Sequence, residues 1–335
     1  LHSQAKYNSF GWVAGSEITT AGIKRALEEL QVLDPPPTGQ SHHVQVFAPF
    51  SYDGLSEIQW DLAIIEGYIG SVPTFIRKMR AINPNVLIFQ YCLDTYPTLQ
   101  HIMSLDVDGF LTNSRILLPQ LATLAPTRYV PLAADPTIMR PILSSKYVNH
   151  TIVYLGHNSP GKPTLHRMLR ETLKYGLTIY GHKWQDAPED LKARWRGVLP
   201  LNDIAELYSG ADIVLGTTEG KQQQLGMINN RVYETLGCGS VLISDSFDVI
   251  EQEFGNLVYF DRHPGDTDKL VRRLLYTEEG QQELITKGKE GRRRILEHES
   301  WSHRVMTMLE LYYILQATKT TTNPQRPLRP RVLIV

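Results

Sequence analysis

Short apolar runs alternate with amphipathic stretches along the whole chain. Apolar runs at residues 10–14, 44–48, 62–65, 86–90, 109–111 and 128–131 predict strands, and stretches with helical spacing at 20–30, 72–80, 99–105 and 115–122 predict the helices between them. The strand runs are nearly all apolar, which calls for a sheet covered on both faces. Residues 132–149 break this rhythm: they hold Pro136 and Pro141, two serines and no clear period, and read as a linker. A second set follows, with strands predicted at 151–155, 177–180, 213–215, 241–243 and 257–259 and helices at 163–174, 203–209, 230–237 and 267–275. Three helical stretches, at 281–287, 291–297 and 302–316, come last. The pattern is that of an α/β chain with two similar parallel-sheet domains, one over 1–132 and one over 150–300, joined by a linker at 133–149. In such sheets ligands sit outside the carboxyl ends of the strands, so residues just after strands take priority.

Composition narrows the function classes. The 335 residues suit two domains. Lys and Arg number 34 against 35 Asp and Glu, a net charge of −1, which argues against a nucleic-acid-coating role. Two cysteines, Cys92 and Cys238, exclude a disulfide framework and a cysteine-based zinc cluster. No apolar run approaches a membrane span, and the first residues, LHSQAKYNSF, lack the basic and apolar regions of a secretory signal, so a cytoplasmic location is expected. The absence of an initiator Met, and a last segment RVLIV that reads as the opening of a strand, suggest a module of a longer polypeptide. On that reading residues 319–335 are a tail or the start of a further domain, touching the body only lightly.

Two stretches carry candidate chemistry. GHNSPGKPT, residues 156–164, follows a predicted strand and opens a helix. Gly156 and Gly161 would let backbone approach a phosphate, and Lys162 would add charge at the helix start. The spacing also fits the start of a P-loop, but Pro163 stands where the metal-binding hydroxyl belongs. NNRVYETLGCGSVLISD, residues 229–245, holds Arg231 and Glu234 one helical turn apart. A cation there suits a diphosphate, and a carboxylate one turn on suits the two hydroxyls of a ribose. The plain alternative is a surface ion pair worth little.

TIVYLG, LTIYGHKW, GVLPLNDIAELYSGADIVLGTT and NNRVYETLGCGSVLISD follow one another in this order and at these intervals. The series resembles the nucleotide-sugar half of the GT-B glycosyltransferases of the group 1 class, closest to the spore-maturation-protein (CgeB-like) branch. VPLAADPTIMRP resembles the phrase ending the first domain there, and ESWSHRVMTMLELYY resembles a closing helix, over 301–318, that crosses back to the first domain. The resemblance implies two Rossmann-like domains facing a cleft. It also implies transfer of a sugar from a UDP- or GDP-linked donor to a glycan or other hydroxyl acceptor, with no further cofactor and no metal. Glu234 would then hold the ribose. Arg231 and Lys162 would face the diphosphate, with Thr217 and Thr218 near phosphates or sugar and Gly156 and Asn230 also in the donor site. Tyr180, Gly181 and Trp184, with backbone near Leu199, would frame the base. Two departures stand out: Gly226 occupies the position of a first glutamate common in retaining relatives, and His157 that of an arginine.

In the first domain Glu66 and Asp94 are the candidates for a base that takes the acceptor proton. Each could equally cap a following helix. Asp106–Val107–Asp108 and Asp266–Thr267–Asp268 spell the D-x-D of metal-diphosphate sites, but the first precedes a strand and the second reads as a helix start. Asn149–His150–Thr151 is a glycosylation triplet of a kind frequent by chance. Besides the glycosyltransferase, three readings stay open: a nucleotide-sugar epimerase of the same fold, a non-catalytic nucleotide-sugar-binding module and a P-loop phosphotransferase.

Overall fold

The computed structural model describes residues 15–33, 44–46, 59–66, 70–93, 99–319 and 330–335. It divides into two compact units, Leu1–Pro131 with Trp301–Val335, and Leu132–Ser300. The first unit begins with α1 (Gly15–Leu33), β1 (Val44–Val46), β2 (Leu62–Glu66), α2 (Val72–Ile82) and β3 (Leu87–Cys92). It continues with α3 (Leu99–Met103), β4 (Gly109–Thr112), α4 (Leu118–Ala122) and β5 (Thr127–Tyr129). The second unit runs through β6 (His150–Leu155), α5 (Leu165–Thr172), β7 (Leu177–Tyr180), α6 (Glu189–Lys192), α7 (Ile204–Gly210) and β8 (Ala211–Gly216). After these come α8 (Gly220–Gln224), α9 (Asn230–Gly237), β9 (Val241–Asp245), α10 (Asp248–Phe254), β10 (Tyr259–Asp261), α11 (Asp266–Tyr276) and α12 (Glu278–His298). The chain then returns to the first unit with α13 (Trp301–Lys319) and β11 (Val332–Ile334).

The sheet of the first unit is parallel, in the order β1-β11-β2-β3-β4-β5. Its strands are apolar because helices cover them: Phe75, Ile76 and Met79 of α2 pack on Ala63, Ile65, Ile88 and Leu333. The last segment is therefore not a lightly attached tail. Val332, Leu333 and Ile334 are fully buried, paired with Val44–Val46 on one side and Leu62–Ile64 on the other. Arg331 grips Asp61 through Nε at 2.8 Å and Nη2 at 3.1 Å. A strand takes this slot from far along the chain because an apolar parallel strand needs a partner on each edge, and sequence separation does not enter the pairing itself.

The sheet of the second unit is also parallel, in the order β10-β9-β8-β6-β7. Its core gathers Ile152, Tyr154, Met168, Leu169, Ile179, Trp184, Ile213 and Leu215. The stretch at 132–149 holds no helix or strand but is tied down. Arg292 donates to the carbonyls of Met139 at 2.7 Å, Gly237 at 2.9 Å and Pro136 at 3.0 Å, and Ser145 Oγ donates to Glu206 O at 2.7 Å. The two helices expected at 281–287 and 291–297 are one, α12. Gly288, in the gap between the two expected stretches, serves a close approach: a Cβ there would sit 2.2 Å from the Gly239 carbonyl oxygen. The last strand of the sheet lies two residues later than expected, because the N–H groups of Leu257 and Val258 close the end of α10 on Phe254 O instead of joining the ladder.

Candidate donor site in the second unit

The carboxyl ends of β6, β7 and β8 converge with the start of α9. Tyr154, next to last in β6, is fully buried and works as the hub. Its phenol oxygen lies 3.0 Å from Lys162 Nζ and 3.2 Å from Thr217 Oγ1, and its ring lies under the Arg231 guanidinium, 5.3 Å from the centroid. Arg231 also donates to the Leu155 carbonyl. A fully buried tyrosine thus holds two cations and a hydroxyl at one strand end.

The start of α9 is fixed by its cap. Asn229 Oδ1 accepts the Arg231 N–H at 3.0 Å, and Asn229 Nδ2 donates to Thr218 Oγ1 at 2.8 Å. Thr218 is set from the other side, its N–H donating to Asp245 Oδ2 at 2.8 Å, an oxygen that Gln223 Nε2 also reaches at 2.8 Å. Burial pushes Asp245 up to about 6, against those hydrogen bonds.

Glu234 lies one turn beyond Arg231 and is 5% exposed. Burial raises its carboxyl to about 7, and Arg231 alone works in the other direction. Its Oε1 has no hydrogen-bond partner among the described residues, and neither has Asn230 Oδ1. Two acceptors on one helical turn are thus left without a donor among the described residues. Such groups cost about 1–3 kcal/mol each while unmet.

The turns after β6 and β7 lock together. Gly181 has φ +133°, and a Cβ there would meet the Gly156 carbonyl oxygen at 2.1 Å, so only glycine fits. Gly156 N–H donates to Tyr180 O at 2.9 Å, and Trp184 Nε1 donates to Gly156 O at 2.8 Å.

Residues 162–310 match the family model described as glycosyl transferase-like. No curated protein sequence matches the chain. Among solved structures, sucrose-phosphate synthase from Thermosynechococcus elongatus superposes with TM-score 0.56 at 14% identity, over 76% of this chain and 74% of that one. HepE of Anabaena, in complex with UDP and glucose, gives TM-score 0.55 at 14% identity, over 75% of this chain and 77% of its own. The α,α-trehalose 6-phosphate synthase of Burkholderia multivorans gives 0.54 at 10%, over 82% and 75%.

The fold is GT-B. Within this GT-B chain the sequence-predicted residues fall into three groups. Gly156, Lys162, Thr217 and Arg231 meet at Tyr154, and Thr218, Asn230 and Glu234 belong to the same strand end and helix start. Tyr180 turns elsewhere: its hydroxyl pairs with His150 Nε2 at 3.1 Å, and the two rings stack. Leu199 is 8% exposed beside Val198, which is 51% exposed. Trp184 is corrected. It is fully buried in the core, edge-on to Tyr154, and supports the Gly156 turn, so its indole has no face to offer a base.

The P-loop reading is corrected too. The Lys162 N–H closes a turn on Ser159 O at 3.2 Å, and the space beside Gly161 is filled by the Glu219 carboxylate. A carboxylate where the cradle should open repels phosphate. Three of the four D-x-D aspartates are committed to structure. Asp108 Oδ2 accepts from Arg80 and from the Ile88 N–H, each at 2.8 Å; Asp266 accepts the His263 N–H at 2.9 Å; Asp268 pairs with Lys174 at 2.7 Å.

In the first unit, Glu66 ends β2 and accepts a hydrogen bond from Thr20 Oγ1 of α1 at 2.9 Å. Its Oε1 is buried without a hydrogen-bond partner among the described residues, and burial raises the carboxyl to about 8 against the Thr20 bond. Asp94 lies outside the described residues. Among the described residues no helix is long and apolar enough to cross a membrane.

Proposed function

We propose that this chain transfers a sugar from a nucleotide-sugar donor to a glycan or other hydroxyl acceptor. The observation that carries the reading is the Arg231–Glu234 turn: a half-buried cation held at a strand end, with an unmet carboxylate oxygen one turn behind it. The diphosphate of the donor lies against Arg231 and Lys162, and the ribose hydroxyls donate to Glu234. As the sugar leaves, negative charge grows on the diphosphate, and fixed cations lower the barrier by meeting it there. Thr217 and Thr218 line the way to the sugar. Glu66 takes the proton of the acceptor hydroxyl. Transfer proceeds without a divalent cation at the diphosphate, because Asp108, Asp266 and Asp268 are already engaged and Asp106 stands before β4 rather than after a strand. Turnover is therefore expected to survive excess chelator.

A double comparison tests the ribose assignment. Hydrogen bonds to charged groups contribute about 1.5–3 kcal/mol. Glu234→Ala should weaken binding of the nucleotide about 10- to 150-fold, at about 1.4 kcal/mol per decade. A 2′-deoxyribonucleotide should lose affinity for the wild type and little for Glu234→Ala. Losses that simply add, with no coupling, overturn the ribose assignment.

A further inference from the structure

The carboxyl end of the first sheet holds a second unmet oxygen besides that of Glu66. Asn113, the first residue past β4, is 3% exposed, and its Oδ1 has no hydrogen-bond partner among the described residues. The turn around it is built by its neighbours: the Ser114 N–H donates to Thr112 Oγ1 at 3.1 Å, and the Leu117 N–H donates to Ser114 Oγ at 3.0 Å. Thr112 is held in turn, its carbonyl accepting the Val130 N–H at 2.8 Å. Asn113 thus stands in a fixed turn that leaves its side-chain oxygen unused. Glu66 is fixed as firmly. Its backbone N–H donates to Val335 O at 2.7 Å, and Thr20 occupies Oε2, which leaves Oε1 open.

The strand registers bring the two residues to one place. Glu66 pairs with Tyr91, and Tyr91 pairs with Leu111, two residues before Asn113. Glu66 and Asn113 therefore flank the end of β3, on strands about 10 Å apart. Tyr91 stands between them and serves neither, because its one proton goes to Val130 O at 2.8 Å. Two buried acceptor oxygens need two protons from outside. A lone alcohol brings one, and in transfer that proton goes to the base. A sugar brings several, spread around a ring that spans a gap of this order.

We infer that Asn113 binds a second hydroxyl of the acceptor while Glu66 meets the first, so that the acceptor is a sugar residue rather than a lone alcohol such as a serine or lipid hydroxyl. The inference rests on the transferase reading and narrows its acceptor. In the transfer step the O–H bond of the first hydroxyl breaks and its proton passes to Glu66 Oε1. The freed oxygen bonds to the anomeric carbon as the bond from that carbon to the diphosphate breaks, and the nucleoside diphosphate leaves. The second hydroxyl keeps its proton and stays on Asn113 Oδ1. Out of water, a missing partner for such an oxygen is costly, which makes the contact selective.

The full chain is given UDP-, GDP-, ADP- and dTDP-glucose as donors, each with methyl glycosides of the common hexoses and pentoses and, in parallel, with octanol and a serine peptide. Transfer to a methyl glycoside and not to the lone alcohols is expected. Each monodeoxy analogue of that glycoside is then compared. Removing one hydroxyl other than the one glycosylated should raise the acceptor KM about 5- to 150-fold in the wild type and little in Asn113→Ala. Asn113→Asp, which keeps an acceptor oxygen, should recover most of what Asn113→Ala loses. The deoxy series on the wild type holds even where a variant fails to fold.

Transfer to octanol or the serine peptide as readily as to a glycoside overturns the inference and leaves the transferase reading standing. So does donor binding with no glycoside used, or a deoxy series in which no second hydroxyl matters. Losses from the deoxy analogue and from Asn113→Ala that simply add overturn it too. An Asn113→Ala that loses stability in urea with acceptor KM unchanged, the result expected if trapped waters meet the two oxygens, also overturns it. Neither binding nor transfer with any of the four donors overturns the transferase reading and the inference with it.

Discussion

The two sheets follow one plan and are finished differently. In the second unit every strand comes from one continuous stretch, and the carboxyl ends are wired together by side chains: Tyr154 to Lys162, Thr217 and Arg231, and Asn229 to Thr218. In the first unit a strand from the far end of the chain completes the middle of the sheet, and the functional candidate at the carboxyl end, Glu66, is held by Thr20. Each end carries a buried carboxyl with an unmet oxygen, yet Glu234 has a guanidinium beside it and Glu66 a hydroxyl. Under the proposed function, Glu234 binds a polyhydroxyl ligand and is served by a preset charge, whereas Glu66 takes a proton and is better left without a cation, because a cation would lower its basicity.

The largest expected effect breaks the comparison at the level of the sheets. Val332, Leu333 and Ile334 are fully buried, and each such side chain contributes about 1.5–3 kcal/mol by burial. A chain ending at residue 329 should therefore lose about 5 kcal/mol or more from the first unit, and the bidentate partner of Asp61 with it. The second unit, whose sheet is continuous, should keep its own transition. Urea unfolding followed by probes in each unit reads this directly. Unchanged midpoints for the first unit would mean that the strand contributes no stability there.

Next comes the contrast between the two glutamates. Glu66→Gln keeps the shape, loses the base, and should lower kcat by about 10²- to 10⁴-fold with donor affinity unchanged. The carboxyl titrates at about 8, so wild-type kcat should climb as pH rises toward that value and then level off. Steady-state rates across pH, with donor titrations beside them, separate this from Glu234, whose loss is expected to act on donor binding. A Gln variant of full kcat would strip Glu66 of the role and leave Asp94 as the candidate.

Apart from the run at 10–14, which lies outside the described residues, the strands and the Asn-Arg-x-x-Glu turn were legible in the sequence because each is local. Apolar runs mark the strands, and Asn229 followed by a helical pattern marks a capped start. What was not legible is what depends on distant partners. Tyr154 reads as one more large residue in a buried run, and only its position one residue from a strand-ending Leu-Gly signals that its hydroxyl emerges among the site residues. Trp184 follows a glycine turn like an exposed platform, but the turn doubles back and buries it. The RVLIV segment announces a strand without saying which sheet lacks one, since parallel pairing carries no short-range signal. Gly288 of α12 looks like a break until the Gly239 backbone it makes room for is known.

The smallest expected effect sharpens the contrast between the two carboxyls through stability. Both have folded-state values above the ordinary value of 4.5, about 8 for Glu66 and about 7 for Glu234. The native chain therefore holds more protons than the unfolded chain above about pH 4.5, and each carboxyl makes stability fall as pH rises. The fall ends near pH 7 for Glu234 and near pH 8 for Glu66. His157, held near 4, acts oppositely: the unfolded chain binds the extra proton, so its contribution rises with pH up to about its ordinary value of 6.5. Between pH 7 and pH 8, of these three, Glu66 acts most strongly. Glu66→Gln should therefore flatten the stability curve in that last interval, by on the order of 1 kcal/mol, while Glu234→Gln changes the interval by roughly a third as much and acts mainly below it. Urea midpoints for wild type and both variants at half-unit steps give the differences in which other titrating groups cancel. Curves for Glu66→Gln and wild type that stay parallel from pH 7 to pH 8 would show that no buried, cation-free carboxyl titrates at the end of β2. The difference drawn between the two sheet ends would then rest on Glu234 alone.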